Sequence, residues 1–178
     1  MNKRKQSAKS QAGRLRIVAG NWRSRLLDIA DVEGLRPTSE RIRETLFNWL
    51  APGIAGTRCL DLFAGTGALG LEALSRGARS VVFVERSPVA AKQLENNIAI
   101  LGGASSAADV VRGDALDYLR HAADDAFDIV FLDPPFADDR LSETCRLLAE
   151  GSLLADGALV YLEMERSQHE PELPDGWQ

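Results

Sequence analysis

Leu60-Asp61-Leu62-Phe63-Ala64-Gly65-Thr66-Gly67-Ala68-Leu69-Gly70 decides the fold, because it carries an apolar strand through a glycine turn into a helix. Gly65 and Gly67 permit a tight turn whose backbone can approach a ligand, and the helix start beyond them is an electropositive end. Outward from this turn, strand and helix alternate. Cys59 to Phe63 is the short strand itself, and Ala68 to Ser75 is a helix closed by Gly77. Val81 to Val84 is a strand, and Val89 to Leu101 is a helix ended by Gly102-Gly103. Val110-Val111 is a weak strand, followed by a short helix through Leu116 and Leu119. Phe127 to Leu132 is a strongly apolar strand, Leu141 to Ala149 is helical, and Ala158 to Leu162 is a last strand. Apolar strands separated by helices predict a mostly parallel sheet covered on both faces, a Rossmann-like, doubly wound α/β fold.

Upstream, Arg14-Leu15-Arg16-Ile17-Val18 alternates as a half-buried strand does, Gly20-Asn21 can turn, and Trp22 to Leu27 can return, which predicts a basic hairpin. In Arg36-Pro37-Thr38-Ser39, Pro37 discourages helix before it, and Thr38 or Ser39 can cap the helix that follows. Ile42, Leu46, Trp49 and Leu50 form the expected buried stripe of that helix, with Arg41 and Arg43 off it, and Ala51-Pro52-Gly53 stops it. The expected organisation is a basic disordered tail over 1–13, a hairpin and helix over 14–52, and a Rossmann-like domain over 53–178.

With 178 residues, 45% of them hydrophobic, the chain can build one compact domain with an appendage. No apolar run reaches the roughly 18 residues that cross a bilayer, and the basic start lacks the apolar core of a secretory signal, so a soluble cytoplasmic protein is expected. Cys59 and Cys145 make neither a disulfide framework nor a Cys-x-x-Cys pair, and no metal is expected. The net charge of −5 hides an asymmetry. Lys3, Arg4, Lys5, Lys9, Arg14, Arg16, Arg23 and Arg25 all precede the first acidic residue, Asp28, and the remaining 13 basic and 26 acidic residues leave the body at −13. A basic arm of this kind suits nucleic-acid phosphates, with Arg14, Arg16, Arg23 and Arg25 as contacts; for residues 1–12 a solvated tail is an equal alternative.

Gly65, Gly67 and Gly70 also satisfy G-x-G-x-x-G, which keeps a dinucleotide site open. Glu85 ends the second strand about 20 residues on, where a carboxylate can accept ribose hydroxyls. Asp61 discriminates better: an acid just before the glycines opposes a pyrophosphate and suits a cation, such as a sulfonium carrying an amino group. Asp114, at the carboxyl edge after the third strand, can bind an adenine amine or cap the next helix.

Phe127 to Leu132 delivers Asp133 to the carboxyl end of a buried strand, where ligands of doubly wound sheets bind. Pro134 and Pro135 stiffen the segment and fix the direction of its carbonyls. An exocyclic base amine is a poor nucleophile, since its lone pair is delocalised into the ring. Accepting its two protons on Asp133 and the Pro134 carbonyl can aim nitrogen density at an activated methyl, with Phe136 stacked on an unstacked base. The other reading makes Asp133-Pro134-Pro135 a turn that closes a strand and Phe136 a core side chain.

Together these residues resemble the class I methyltransferases of the RsmD family, bacterial enzymes that methylate guanine N2 in small-subunit (16S) ribosomal RNA. The resemblance runs from Arg16 to about Leu162. It rests on Arg16-Ile17-Val18-Ala19-Gly20, Leu35-Arg36-Pro37-Thr38, Arg43-Glu44-Thr45-Leu46-Phe47-Asn48, Leu60 to Gly67, and Asp133-Pro134-Pro135-Phe136. It implies S-adenosylmethionine as cofactor, held by Asp61, Phe63, Ala64, Gly65, Thr66, Gly67 and Glu85 with the adjoining Arg86. It further implies Asp114 and Ala115 at the adenine, Thr38 and Arg41 at the pocket border, and Asp133 to Phe136 around the guanine. The expected target is guanine 966, in ribosomal RNA within a small-subunit assembly particle, and the expected enzyme is a monomer. The same tetrad serves adenine N6 in DNA or RNA, which stays open as the alternative. One departure stands out. Such folds finish with an antiparallel hairpin, yet no strand is legible after Leu162, where Pro171, Pro174 and Gly176 fall, so that hairpin is expected to be missing and the last strand to form an open edge.

Overall fold

The computed structural model describes residues 13–123, 126–135, 140–164 and 170–177; the basic tail over 1–12 and Phe136 lie outside them. An antiparallel hairpin, β1 (Arg14–Arg16) and β2 (Leu26–Asp28), comes first, and α1 (Glu40–Leu50) follows. The alternating body runs β3 (Arg58–Asp61), α2 (Ala68–Ser75), β4 (Ser80–Glu85), α3 (Pro88–Ile100), β5 (Ala108–Arg112), α4 (Ala115–His121), β6 (Phe127–Leu132), α5 (Leu141–Glu150) and β7 (Leu154–Leu162). The strands line up in the order β5-β4-β3-β6-β7, and every neighbouring pair is parallel. The strand order reverses at β3, which makes the β3–β6 boundary the switch point where a doubly wound sheet opens a crevice at its carboxyl edge. The predicted α/β class is therefore the observed one.

Two strands differ from the sequence reading. The return strand of the hairpin is only Leu26–Asp28, because residues 21–24 are spent in turns, with Ser24 at φ 67°. At the other end, β7 starts before the apolar run at Ala158. Phe127 pairs with Leu154 and Ile129 with Leu159, and Gly157 sits at φ 73° inside this irregularity. Among the described residues no strand follows β7, which forms one edge of the sheet.

Each sheet face carries its own core. Leu119 of α4 and Leu141, Cys145 and Leu148 of α5 pack with Leu60, Val130 and Leu132 on one face. On the other, α2 and α3 pack with the N-terminal segment, whose Leu15, Ile17, Leu27, Leu46, Phe47 and Leu50 join the same cluster as Leu71, Leu74 and Leu94. Every residue of α2 is buried, because the sheet covers one side and the hairpin and α1 cover the other. Fully burying a side chain of this size stabilises by about 1.5–3 kcal/mol, so the hairpin is held by several such contributions.

The buried face of α1 is not the predicted one. Ile42 and Trp49 are 43% and 74% exposed, whereas Arg43, Leu46, Phe47 and Leu50 are buried. The two stripes share Leu46 and Leu50, and the helix is rotated so that Arg43 faces inward. The reason is a buried acid. Glu72, on α2, accepts from Arg43 Nη1 at 3.2 Å, Arg76 Nε at 2.8 Å, and the backbone amides of Val18 and Ala19 at 2.8 and 2.9 Å. A buried carboxylate needs such partners, and a charged residue on α1 supplies one.

Candidate active site

A cleft of about 920 Å³ opens at the carboxyl edge of the sheet, under the segment between the hairpin and α1. The glycine turn forms one wall. Asp61 ends β3, is 2% exposed, and reaches under the turn to accept from the Gly70 amide at 2.9 Å, which anchors the first turn of α2. Glu85, at the end of β4, accepts from the amides of Gly65 at 2.7 Å and Ser87 at 2.6 Å. It therefore shapes the turn and ties it to the next strand.

The three glycines do different work. Gly65 lines the cleft with φ 53°. Gly67 does not line it; it caps α2 in the left-handed region at φ 76°, with Leu94 only 2.4 Å from where a Cβ would sit. Gly70 lies inside α2, where a Cβ would meet Phe83 at 2.2 Å. Its place in G-x-G-x-x-G thus reflects helix-on-sheet packing. Phe63, Ala64, Thr66 and Arg86 line the cleft with Gly65.

Asp133 leaves the end of β6, the strand beside β3, followed by Pro134 and Pro135, and all three line the cleft. Its predicted neighbour Phe136 falls outside the described residues. The Thr38 hydroxyl donates to Asp133 Oδ2 at 3.1 Å, while the Thr38 carbonyl accepts from Arg43 Nε at 3.1 Å. Thr38 is therefore set from behind by the buried Arg43, and Ser39, not Thr38, caps α1 by accepting from the Ile42 amide. Arg41 is exposed and lies off the cleft, so the border role expected beside Thr38 falls instead to Leu35, Arg36 and Pro37.

Sequence reasoning missed Glu163 and Arg140. Glu163 follows β7 as Asp133 follows β6, its amide donates to the Leu132 carbonyl at 2.8 Å, and its side chain lines the cleft. Its carboxylate lies 3.5 Å from the Thr38 hydroxyl and accepts from the Tyr161 hydroxyl at 3.3 Å. The available signal was positional: an acid one residue past an apolar strand, repeating the pattern of Asp133. Arg140 pairs with Asp114 at 2.6 Å. Asp114 Oδ1 meanwhile caps α4 at the Leu116 amide, so this carboxylate is already committed on both oxygens, with Ala115 beside it on the cleft wall.

The cleft is electrostatically acidic at its centre. Burial pushes Asp61 up to about 7, reinforced by the charges of Asp133 and Glu85. Burial and the nearby Glu163 push Asp133 up to about 6, and burial raises Glu163 as well. Such crowding makes each ionised carboxylate costly until a cation or a set of donors arrives. The cysteines stand apart: Cys59 and Cys145 are buried thiols pushed up to about 12 and about 11 by burial, poor nucleophiles both. Among the described residues no group of three or more His, Cys, Asp or Glu side chains could hold a metal ion, and no helix is long and apolar enough to cross a membrane.

None of the four hairpin arginines lines the cleft. All are exposed; Arg14 lies 3.7 Å from Asp28 and Arg16 3.5 Å from Glu40, while Arg25 Nη2 donates to the Ile100 carbonyl at 2.9 Å.

Comparison with known proteins agrees with this architecture. The chain is 46% identical over 168 residues to Ribosomal RNA small subunit methyltransferase D of Escherichia coli (strain K12), covering 94% of this chain and 83% of that protein. A solved structure named "Putative methyltransferase yhhF from Escherichia coli" superposes with a TM-score of 0.85 at 44% identity, over 93% of this chain and 89% of that one. A S-adenosyl-L-homocysteine complex of a SAM-dependent methyltransferase from Thiobacillus denitrificans, at 20% identity, shares the fold with a TM-score of 0.58, over 71% of this chain and 48% of that one. The fold is that of the class I methyltransferases. Residues 15–178 match the model of the family described as Conserved hypothetical protein 95, and the chain belongs to that family, the RsmD family.

Proposed function

We propose that the protein transfers a methyl group from S-adenosylmethionine to the exocyclic N2 amine of a guanine in small-subunit ribosomal RNA, at guanine 966. In this reading it acts as a cytoplasmic monomer on a small-subunit assembly particle. The observation that carries the reading is the placement of Asp133, followed by Pro134 and Pro135, in the same cleft as a glycine turn anchored by Asp61. The relationship to Ribosomal RNA small subunit methyltransferase D of Escherichia coli supports the choice of RNA.

The donor set fits the cofactor. Asp61 and Glu85 line a space open to a cationic ligand, whereas a pyrophosphate would meet Asp61 with like charge. S-adenosylmethionine, when bound, would supply an activated methyl group on positively charged sulfur, whose departure as a neutral thioether would balance the new nitrogen–carbon bond. The protein's part is alignment and proton acceptance. Asp133 and the Pro134 carbonyl accept the two amine protons and so orient the lone pair. After transfer the nitrogen sheds one proton, and Asp133, held near 6, is a better acceptor than an ordinary carboxylate.

Incubation with methyl-labelled cofactor and small-subunit particles lacking the modification, followed by nucleoside digestion, tests the reading. N2-methylguanosine is expected, lost in Asp133→Ala while S-adenosylhomocysteine still binds. Product found only as N6-methyladenosine, or no RNA product, would overturn it.

A further inference from the structure

We propose that Glu163 is the guanine-selecting residue of this cleft, accepting the N1–H of the target base while Asp133 accepts from the N2 amine. The inference rests on the function proposed above and adds how the base is chosen.

A base brought into a pocket is read along its Watson–Crick edge. Guanine presents two adjacent donors there, N1–H and the N2 amine, whereas adenine presents an amine beside the N1 lone pair. Asp133 alone matches one amine and cannot tell the two apart. A second acceptor beside it can.

The fold places that acceptor. Leu132 and Leu162 are register partners on β6 and β7, so Asp133 and Glu163 are the next residues on adjacent parallel strands, whose spacing is about 4.8 Å. The Thr38 hydroxyl lies 3.1 Å from Asp133 and 3.5 Å from Glu163, and its single proton can serve only one of them at a time. The Tyr161 hydroxyl donates to Glu163 at 3.3 Å, which orients it from the end of its own strand, β7. Two half-satisfied carboxylates therefore face one cleft; burial raises both toward protonation, and the charge of Glu163 raises Asp133 further. A base edge offering two donors satisfies both and favours their ionised forms; a base edge with a lone pair at N1 meets the ionised Glu163 with repulsion. Sites built to bond a substrate donor reject the analogue lacking it strongly, because their own polar groups are left unpaired.

The test uses small-subunit RNA, assembled into particles, carrying either guanosine or 2,6-diaminopurine riboside at the methylated position. Both bases present the N2 amine, and only guanine has N1–H. Wild type is expected to favour guanosine by more than about tenfold in kcat/KM. Glu163→Gln, whose amide can donate to a lone pair, is expected to lose at least about tenfold on guanosine and to narrow or invert the preference. Glu163→Ala should lose guanosine activity without gaining on the analogue. Unchanged S-adenosylhomocysteine affinity by calorimetry and an unchanged urea midpoint show that the cleft is intact in both variants. A Glu163→Gln enzyme that keeps the wild-type ratio, whether its activity is full or uniformly reduced, overturns the inference while leaving the proposed reaction standing. Wild type that methylates neither RNA overturns both.

Discussion

The Arg43 guanidinium and the Glu72 carboxylate meet at 3.2 Å with side chains 1% and 0% exposed, and through them the N-terminal segment is tied to the first helix of the sheet domain. Arg43 also donates to the carbonyls of Arg16 at 2.9 Å and Thr38 at 3.1 Å, so one buried cation fixes both the hairpin and the residue that touches Asp133. Removing one member of such a pair leaves an uncompensated buried charge and costs about 3–5 kcal/mol. Arg43→Met and Glu72→Gln are each expected to lose this much in urea unfolding. The double variant should lose clearly less than the sum, and an additive cycle would refute the coupling.

Asp61 gives the protein a pH dependence of definite sign. Its carboxyl is pushed up to about 7 from 3.8, so between these values the folded state holds a proton that the unfolded chain has released. This contribution to stability is complete below about 3.8 and is lost as pH rises through 7. Asp61→Asn keeps an acceptor for the Gly70 amide and removes the titration; its urea midpoint is expected to exceed that of wild type at pH 8, with the advantage vanishing near pH 4. A cationic ligand favours the ionised form, so affinity for S-adenosylmethionine should fall by up to about tenfold per pH unit below pH 7, while that of S-adenosylhomocysteine, which lacks the sulfonium charge, stays flatter. Parallel calorimetric profiles for the two ligands would sink this account.

Gly20 lies where the hairpin backbone packs directly against the end of α2. A Cβ there would lie 1.9 Å from the Ser75 carbonyl oxygen, which accepts from the Asn21 amide at 2.7 Å, and the backbone sits at φ 84°. Neither the space nor the conformation admits alanine, and the conformational cost alone is about 1–3 kcal/mol. Gly20→Ala is expected to lower the urea midpoint and to expose residues 14–28 to limited proteolysis before the sheet domain unfolds. Unaltered cleavage kinetics would show that the hairpin is not held at this point.

The body of the fold and half of the cleft were legible because their signals are local. Asp61 and Asp133 each end an apolar strand, and the turn chemistry beside each is written in adjacent glycines or prolines. Other features depend on partners far along the chain. Arg43 reads as a solvent-facing charge until Glu72, 29 residues away, is seen to need it. Glu163 acquires meaning only from the β6–β7 register, which places it beside Asp133. Gly67 looks like a ligand contact in the string of letters and Gly70 completes a dinucleotide pattern with it, yet Leu94 and Phe83 explain both through packing. The wall formed by Leu35, Arg36 and Pro37 has no periodicity to betray it.

The hairpin arginines are expected to act unequally on RNA. Arg14 and Arg16 lie beside Asp28 and Glu40, exposed pairs that are worth little in themselves but leave an acid next to any phosphate the arginine approaches. Arg25 bonds a neutral carbonyl, and Arg23 makes no ion pair among the described residues, so their charges are the less compensated ones. Each phosphate contact contributes about 0.7–0.9 to the slope of log affinity against log salt. Replacing Arg23 and Arg25 with alanine should therefore lower that slope by roughly 1.4–1.8, and replacing Arg14 and Arg16 should lower it by less. Affinity measured by filter binding or fluorescence anisotropy between about 50 and 200 mM salt resolves the difference. If the Arg23 and Arg25 double variant keeps the wild-type slope, the hairpin does not hold RNA through phosphate contacts.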